Sequence, residues 1–270
     1  MNLLKEDYEE AACLLEKPCV SYHIDINRVI NKLDEYLNKN DYAGAERHLD
    51  YWLAESEQNH DQHAELTILN EQIGLYRKTE RKTEATDASE RAIFLANEMK
   101  LRKTVTMATT LINAATAYKA FGKAKEALPL YEEAKEIYET LLPEGDKRLA
   151  GLYNNMALAV METNDCQKAE DLFFKALDVL KNIRNGEAEQ AITYCNLCDL
   201  AAARLGTEAA EKIIEQYLEE AENLLNTENL PKDGYYAFVC EKCAPTFDYY
   251  GYFAVKNELL KRAESIYERS

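Results

Sequence analysis

Small and large apolar residues alternate with polar ones along this chain in two superposed rhythms. The short rhythm is helical. In the stretch "EALPLYEEAKEIY", Ala127, Leu130, Tyr131 and Ala134 stand at steps of zero, three, four and seven, which places them on one stripe of an α-helix. The long rhythm is a repeat. Adding 42 to each of those positions gives Ala169, Leu172, Phe173 and Ala176, the same order of small and large groups. Stepping 42 residues back from Ala134 gives Ala92, and 40 more gives Trp52. Forward from Ala176, 45 residues reach Ala221 and 42 more reach Ala263. Six registers therefore run from about residue 23 to residue 270.

Each register predicts two helices and a turn. Twelve residues before the anchor stand Asn40, Glu80, Gly122, Asn164 and Gly251, with Gly206 near the matching place in the fifth unit. Glycine and asparagine enter the left-handed region cheaply, so these positions read as the turn inside a helical hairpin. Four residues before each turn comes a large side chain: Tyr36, Tyr76, Tyr118, Val160 and Phe247, with Ala201 in the fifth unit. A single hairpin cannot bury its own apolar stripe, so neighbouring hairpins have to stack. The expected units are 23–60, 61–101, 102–143, 144–184, 185–229 and 230–270. Residues 1–22 form a separate amphipathic helix with Leu4, Tyr8, Ala11, Ala12 and Leu15 on one side, expected to cap the first unit. Lys256 and Asn257 stand in the last helix where earlier units have small apolar residues, and this polar turn outward predicts that no further helix is needed. Pro129 falls early in a second helix, close to the turn whose amides lack partners. Pro245, inside a first helix, is expected to kink that helix or delay its start.

The segment "LINAATAYKAFGKAKEALPLYEEAKEIYETLLP" resembles, along its whole length, the tetratricopeptide repeat in the long 42-residue form of kinesin light chains and many bacterial proteins. Asn113 before the paired alanines, Gly122, and Pro129 within "EALPLYEEA" carry the likeness. The fifth unit departs most, with Ala201 for the aromatic and about three extra residues around "LGTEAAEKII". The resemblance implies an all-α, α–α superhelix of about six hairpins whose first helices line a concave face. It implies no particular partner.

Composition narrows the partners. Thirty-two Lys and Arg against 49 Asp and Glu give a net charge of −17. Such a chain lacks the basic footprint that nucleic acids and anionic membranes require. The acids are spread over helix faces, which reads as solvated surface. The first residues show no signal-peptide pattern, no segment is apolar enough to span a membrane, and seven cysteines are an odd set, so reduced thiols in a cytoplasm are expected.

The candidate site is a ladder. At one first-helix position stand Asn31, Glu71, Asn113, Asn155, Asn196 and Lys242. Amide side chains both donate and accept, so a row of them suits the backbone of an extended peptide; the alternative is a tolerated polar residue facing solvent. The family resemblance implies the peptide-binding use. An aromatic crowd, "YYAFVCEKCAPTFDYYGYF", reads mainly as core, with Phe238 and Tyr249 the most groove-directed by register. Cys195/Cys198 and Cys240/Cys243 have the spacing of zinc-binding pairs. They fall on helices at small apolar positions, however, so packing is expected and no metal or other cofactor is assigned. His60 and His63 lie between two units with no evident third ligand, and no catalytic motif emerges. The expected function is a non-enzymatic scaffold that holds an extended segment of another protein, or alternatively a peptide-responsive regulator acting through a partner chain.

Overall fold

Aspartates cap the starts of six of the described helices, and residues in the left-handed region follow most of their ends. The computed structural model describes residues 23–269, and twelve helices lie among them. They are α1 (Ile26–Asn38), α2 (Tyr42–Gln58), α3 (Gln62–Lys78), α4 (Lys82–Glu98), α5 (Val105–Ala120), α6 (Ala124–Leu141), α7 (Lys147–Met161), α8 (Cys166–Leu180), α9 (Glu187–Leu205), α10 (Thr207–Leu225), α11 (Gly234–Tyr249) and α12 (Phe253–Tyr267). The expected capping helix over 1–22 lies outside the described residues. The chain divides after Lys100 into two compact units. The first holds the hairpins α1/α2 and α3/α4. The second holds α5/α6, α7/α8, α9/α10 and α11/α12.

The hairpin turns fall on the residues the repeat singles out. Asn40, Glu80, Gly122, Asn164, Gly206 and Gly251 all have positive φ, between 54° and 88°. In four of them the next amide reaches back to the large residue of the hairpin: Asp41 to the carbonyl of Tyr36, Arg81 to Tyr76, Lys123 to Tyr118 and Tyr252 to Phe247, at 2.8–2.9 Å. This is the Schellman closure of a helix end, and it satisfies carbonyls that the helix leaves open. Where an Asp follows the turn, its carboxylate caps the next helix, as Asp41 does for Gly44 and Asp165 for Lys168. Gly206 is the whole turn between α9 and α10, each 19 residues long. The extra residues of the fifth unit thus lengthen its helices and insert no loop.

Packing follows the anchors. Ala92, Ala134, Ala176, Ala221 and Ala263 are all at most 1% exposed, because two helices cross closely there and only a methyl group fits. Trp52, at the same position in the first hairpin, is only half-buried and stands edge-on to His48 and Tyr51. Phe173, Tyr131 and Phe247 fill the second unit's core.

Pro129 falls early in its helix, as expected, whereas Pro245 lies inside a helix whose start it does not delay. Pro245 neither delays nor ends its helix: α11 begins at Gly234 on the Asp233 cap and runs through Pro245 to Tyr249. The carbonyl deprived of a donor belongs to Glu241, an exposed residue that water can serve. Pro129 is the sixth residue of α6, one step beyond the first turn, and the carbonyl it leaves open is that of exposed Lys125.

Candidate peptide-binding face

Within the second unit the first helices form a row. α7 packs against both α5 and α9, and α9 packs against α11. Each therefore offers the same stripe to one side of the row. Asn113, Asn155, Asn196 and Lys242 occupy equivalent places on α5, α7, α9 and α11; the three asparagines are half-buried and Lys242 is exposed. Asn155 and Asn196 commit their side-chain amides to no hydrogen bond with the described residues. Neighbouring Asn154 differs. Its amide nitrogen donates to Thr193 Oγ1 on α9 at 2.9 Å, and Thr193 donates in turn to the Glu189 carbonyl, so this residue joins two hairpins. In the first unit, Asn31 on α1 is exposed and Glu71 on α3 is half-buried. Burial, and then the charge of Asp34 on α1, raises the Glu71 carboxyl above its usual range.

The last first-helix, α11, divides its aromatics by face. Tyr236, Cys240, Cys243 and Phe247 are buried against α9, α10 and α12, whereas Tyr235, Phe238, Lys242, Pro245 and Tyr249 are exposed. The exposed set recurs at three, seven, ten and fourteen residues from Tyr235, which is one helical stripe. Tyr249 is 74% exposed and Phe238 50%, so the aromatic crowd is core on one side and surface on the other. Sequence reasoning passed over Tyr235, although its spacing to Phe238 was the available signal; the two rings stand 6.1 Å apart. Beside this stripe, Tyr250 donates from its hydroxyl to the Cys198 carbonyl and to Asp199, both at 3.2 Å, fastening the α11–α12 turn to α9. Burial raises the Asp199 carboxyl, and the Tyr250 hydrogen bond eases it back in part. No sequence signal marked that contact, because the partners are 51 residues apart.

The cysteine pairs serve packing. Cys195, Cys198, Cys240 and Cys243 are all buried, and burial pushes the Cys198 and Cys240 thiols above their usual pKa. Among the described residues no group of three or more His, Cys, Asp or Glu side chains is placed to hold a metal ion. His60 is exposed in the left-handed link after α2, and His63 is exposed in the first turn of α3. Among the described residues no helix is long and apolar enough to cross a membrane.

Consecutive antiparallel hairpins of this kind, closed by left-handed turns and interlocked through alanines, define a helical-repeat protein. Residues 107–146 match the tetratricopeptide-repeat family profile, and the described residues have the all-α fold of tetratricopeptide-repeat proteins. No curated protein matches the chain. Among solved structures, NprR in complex with its cognate peptide NprX is 15% identical with a TM-score of 0.57, over 97% of this chain and 72% of that one. BtubC (BKLC) from P. vanneervenii is 18% identical with a TM-score of 0.53, over 90% and 91% of the two chains. A Podosopora anserina protein with nearly identical TPR-like repeats is 16% identical with a TM-score of 0.54, over 74% and 94%. These likenesses concern the fold.

Proposed function

We propose that the chain is a protein-interaction scaffold that binds an extended peptide or protein segment along the row of first helices. The tetratricopeptide repeat is typically a non-enzymatic interaction fold, which supports the general class. The observation that carries the specific site is the pair of half-buried amides, Asn155 and Asn196, neither used in the protein's own hydrogen bonding. Leaving two such groups without fixed partners costs stability unless water or a ligand completes them. A peptide backbone offers both a donor and an acceptor at each residue, which is what an amide can answer. In this reading Asn113 extends the row at one end and Lys242 at the other, with Phe238 and Tyr249 as aromatic anchors. Asn31 and Glu71 hold the equivalent places in the first unit.

Fold likeness to NprR, solved with its cognate peptide NprX, favours a short peptide as one form of the ligand. A peptide-responsive regulator acting through a partner chain would use the same row. An arrayed peptide library probed with the full chain tests the site. Wild type is expected to retain a defined peptide set, and Asn155→Leu/Asn196→Leu to bind it about tenfold more weakly with an unchanged melting curve. Equal retention by both proteins would rule the asparagines out as the site.

A further inference from the structure

A second feature of the second unit lies off the row of asparagines. On α10, Glu208, Glu211 and Glu215 stand at steps of three and four, so one exposed stripe carries all three carboxylates. Across from them the α11–α12 turn presents Tyr249 and Tyr252. Together these side chains line a cleft of about 520 Å³, and Ile214 forms part of its wall.

The chemistry of the cleft is incomplete as it stands. None of the three carboxylates forms an ion pair or hydrogen bond with the described residues. Lys212, on the same helix, leaves them unpaired, and Lys256 is committed to Asp248 at 3.3 Å. Glu219 continues the acidic stripe one turn further along α10. The aromatic wall is available too: Tyr249 is 74% exposed and stands edge-on to Tyr250 at 5.0 Å. Tyr252 is half-buried against Phe247. Burial raises its hydroxyl pKa, and the charges of Glu215 and Glu211 raise it further, so the carboxylate field reaches the cleft's inner wall.

Carboxylates on one side and tyrosine rings on the other are complementary to one side chain above all. An arginine guanidinium is planar and permanently charged, donates up to five hydrogen bonds, and stacks on aromatic faces. Lysine satisfies the charge but neither the plane nor the fork. We propose that the α10 cleft receives an arginine side chain from an extended basic segment of another protein. It is an electrostatic docking point that shares Tyr249 with the end of the proposed peptide-binding row but uses none of the row's asparagines.

Fluorescence anisotropy of the full chain with a labelled peptide of alternating glycine and arginine tests this. The comparison peptide carries citrulline, which keeps the shape of arginine and removes its charge. The arginine peptide is expected to bind at least about tenfold more tightly than the citrulline peptide. The preference should weaken as salt is raised. Glu208→Gln/Glu211→Gln/Glu215→Gln should lose most of it, and Tyr249→Leu should lose about threefold. A charge-matched control on α6, Glu126→Gln/Glu133→Gln/Glu136→Gln, should bind as wild type does, and so should Asn155→Leu/Asn196→Leu. Equal losses from the α10 and α6 variants would reduce the effect to net charge and overturn the proposal. So would equal binding of the two peptides, or calcium binding at these glutamates that the arginine peptide does not compete for.

Discussion

The two units use the same hairpin and hold it together by different means. Up to Lys100, an apolar core around Val29, Leu33, Leu49 and Ile68 is reinforced by many polar contacts between elements. Asp61 Oδ2 accepts from the Ile24 amide at 2.9 Å while its other oxygen accepts from Ala64; Gln72 donates to Asp50 at 2.8 Å; His48 bonds the Val29 carbonyl at 2.9 Å. Arg81 joins Glu46 to Glu84, and Arg91 joins Glu57 to Glu65. From Leu101 onward alanine anchors, buried aromatics and buried thiols predominate. One position marks the difference: Trp52 stands where the other five hairpins have alanine, and in that hairpin His48 bonds the Val29 carbonyl across the two helices. Repeats of one shape therefore need not share one energetics.

The largest test of this contrast is in the apolar unit. Phe173 is fully buried, so Phe173→Ala should cost about 3–5 kcal/mol, a transfer loss plus a cavity. Urea unfolding with hydrogen exchange followed on α8 reads it. Trp52→Ala, at a half-buried site, should cost clearly less. If the two costs are equal, packing quality does not distinguish the units.

Next in size is Asp61, which is 6% exposed. Burial works against its charge, but hydrogen bonds from the Ile24 and Ala64 amides, together with His23, outweigh that and hold its pKa below the usual carboxylate range. Because the folded-state pKa is depressed, the contribution is complete above the unfolded value of about 3.9 and disappears as the pH falls through the folded value. Asparagine can accept with only one of its two terminal atoms, so Asp61→Asn should lose about 2 kcal/mol at pH 7. The gap between variant and wild type should close in urea titrations as the pH is lowered through the folded-state pKa of Asp61. A gap that persists there would mean that Asp61 acts through shape and not through charge.

What the amino-acid order disclosed was the repeat, and the repeat discloses whatever is local. Ala134 and Ala176 are legible because tight crossings select one residue type, and Gly122 and Asn164 because left-handed turns do. The expected ladder also assigns Asn113, Asn155 and Asn196 to first helices, because register alone determines that. Relations between distant residues were not legible. An aspartate after His60 has the pattern of an ordinary loop, and nothing in it foretells a hydrogen bond from a backbone amide 37 residues away. Likewise Glu208, Glu211 and Glu215 read as solvated helix surface until the α11–α12 turn sets tyrosines opposite them. The α11 aromatics were half legible. Their spacing defines two stripes, but only the packing of α11 in the fold shows which of them is buried.

A smaller effect probes one polar contact inside the apolar unit, the Asn154–Thr193 link between α7 and α9. Thr193 is fully buried, and Thr193→Val preserves its shape while removing the acceptor for the Asn154 amide nitrogen. Because the Asn154 Oδ1 is already without a partner, the variant leaves both ends of a half-buried amide unsatisfied. A loss of about 1–2 kcal/mol is expected in urea unfolding, and Asn154→Ala/Thr193→Val should recover part of it. No loss would show that the second unit's interfaces are insensitive to polar contacts.

Smallest of all should be the first unit's ion pairs. Arg91 reaches Glu65 at 2.6 Å and also contacts Glu57, bridging α4 to α2 and α3. Its side chain remains 39% exposed and that of Glu57 46%, so water and salt screen most of the attraction. Only Glu65, at 15%, is well shielded. Arg91→Gln should therefore cost under about 1 kcal/mol, and less still in molar salt. The measurement bears on the comparison because polar contacts in the first unit are of two kinds. A buried cap such as Asp61 leaves amides stranded when removed, whereas an exposed arginine is readily replaced by water. A cost for Arg91→Gln that rivals Asp61→Asn and survives high salt would mean that the charges act as one connected network, and the first unit would then owe its cohesion to long-range electrostatics and not to individual hydrogen bonds.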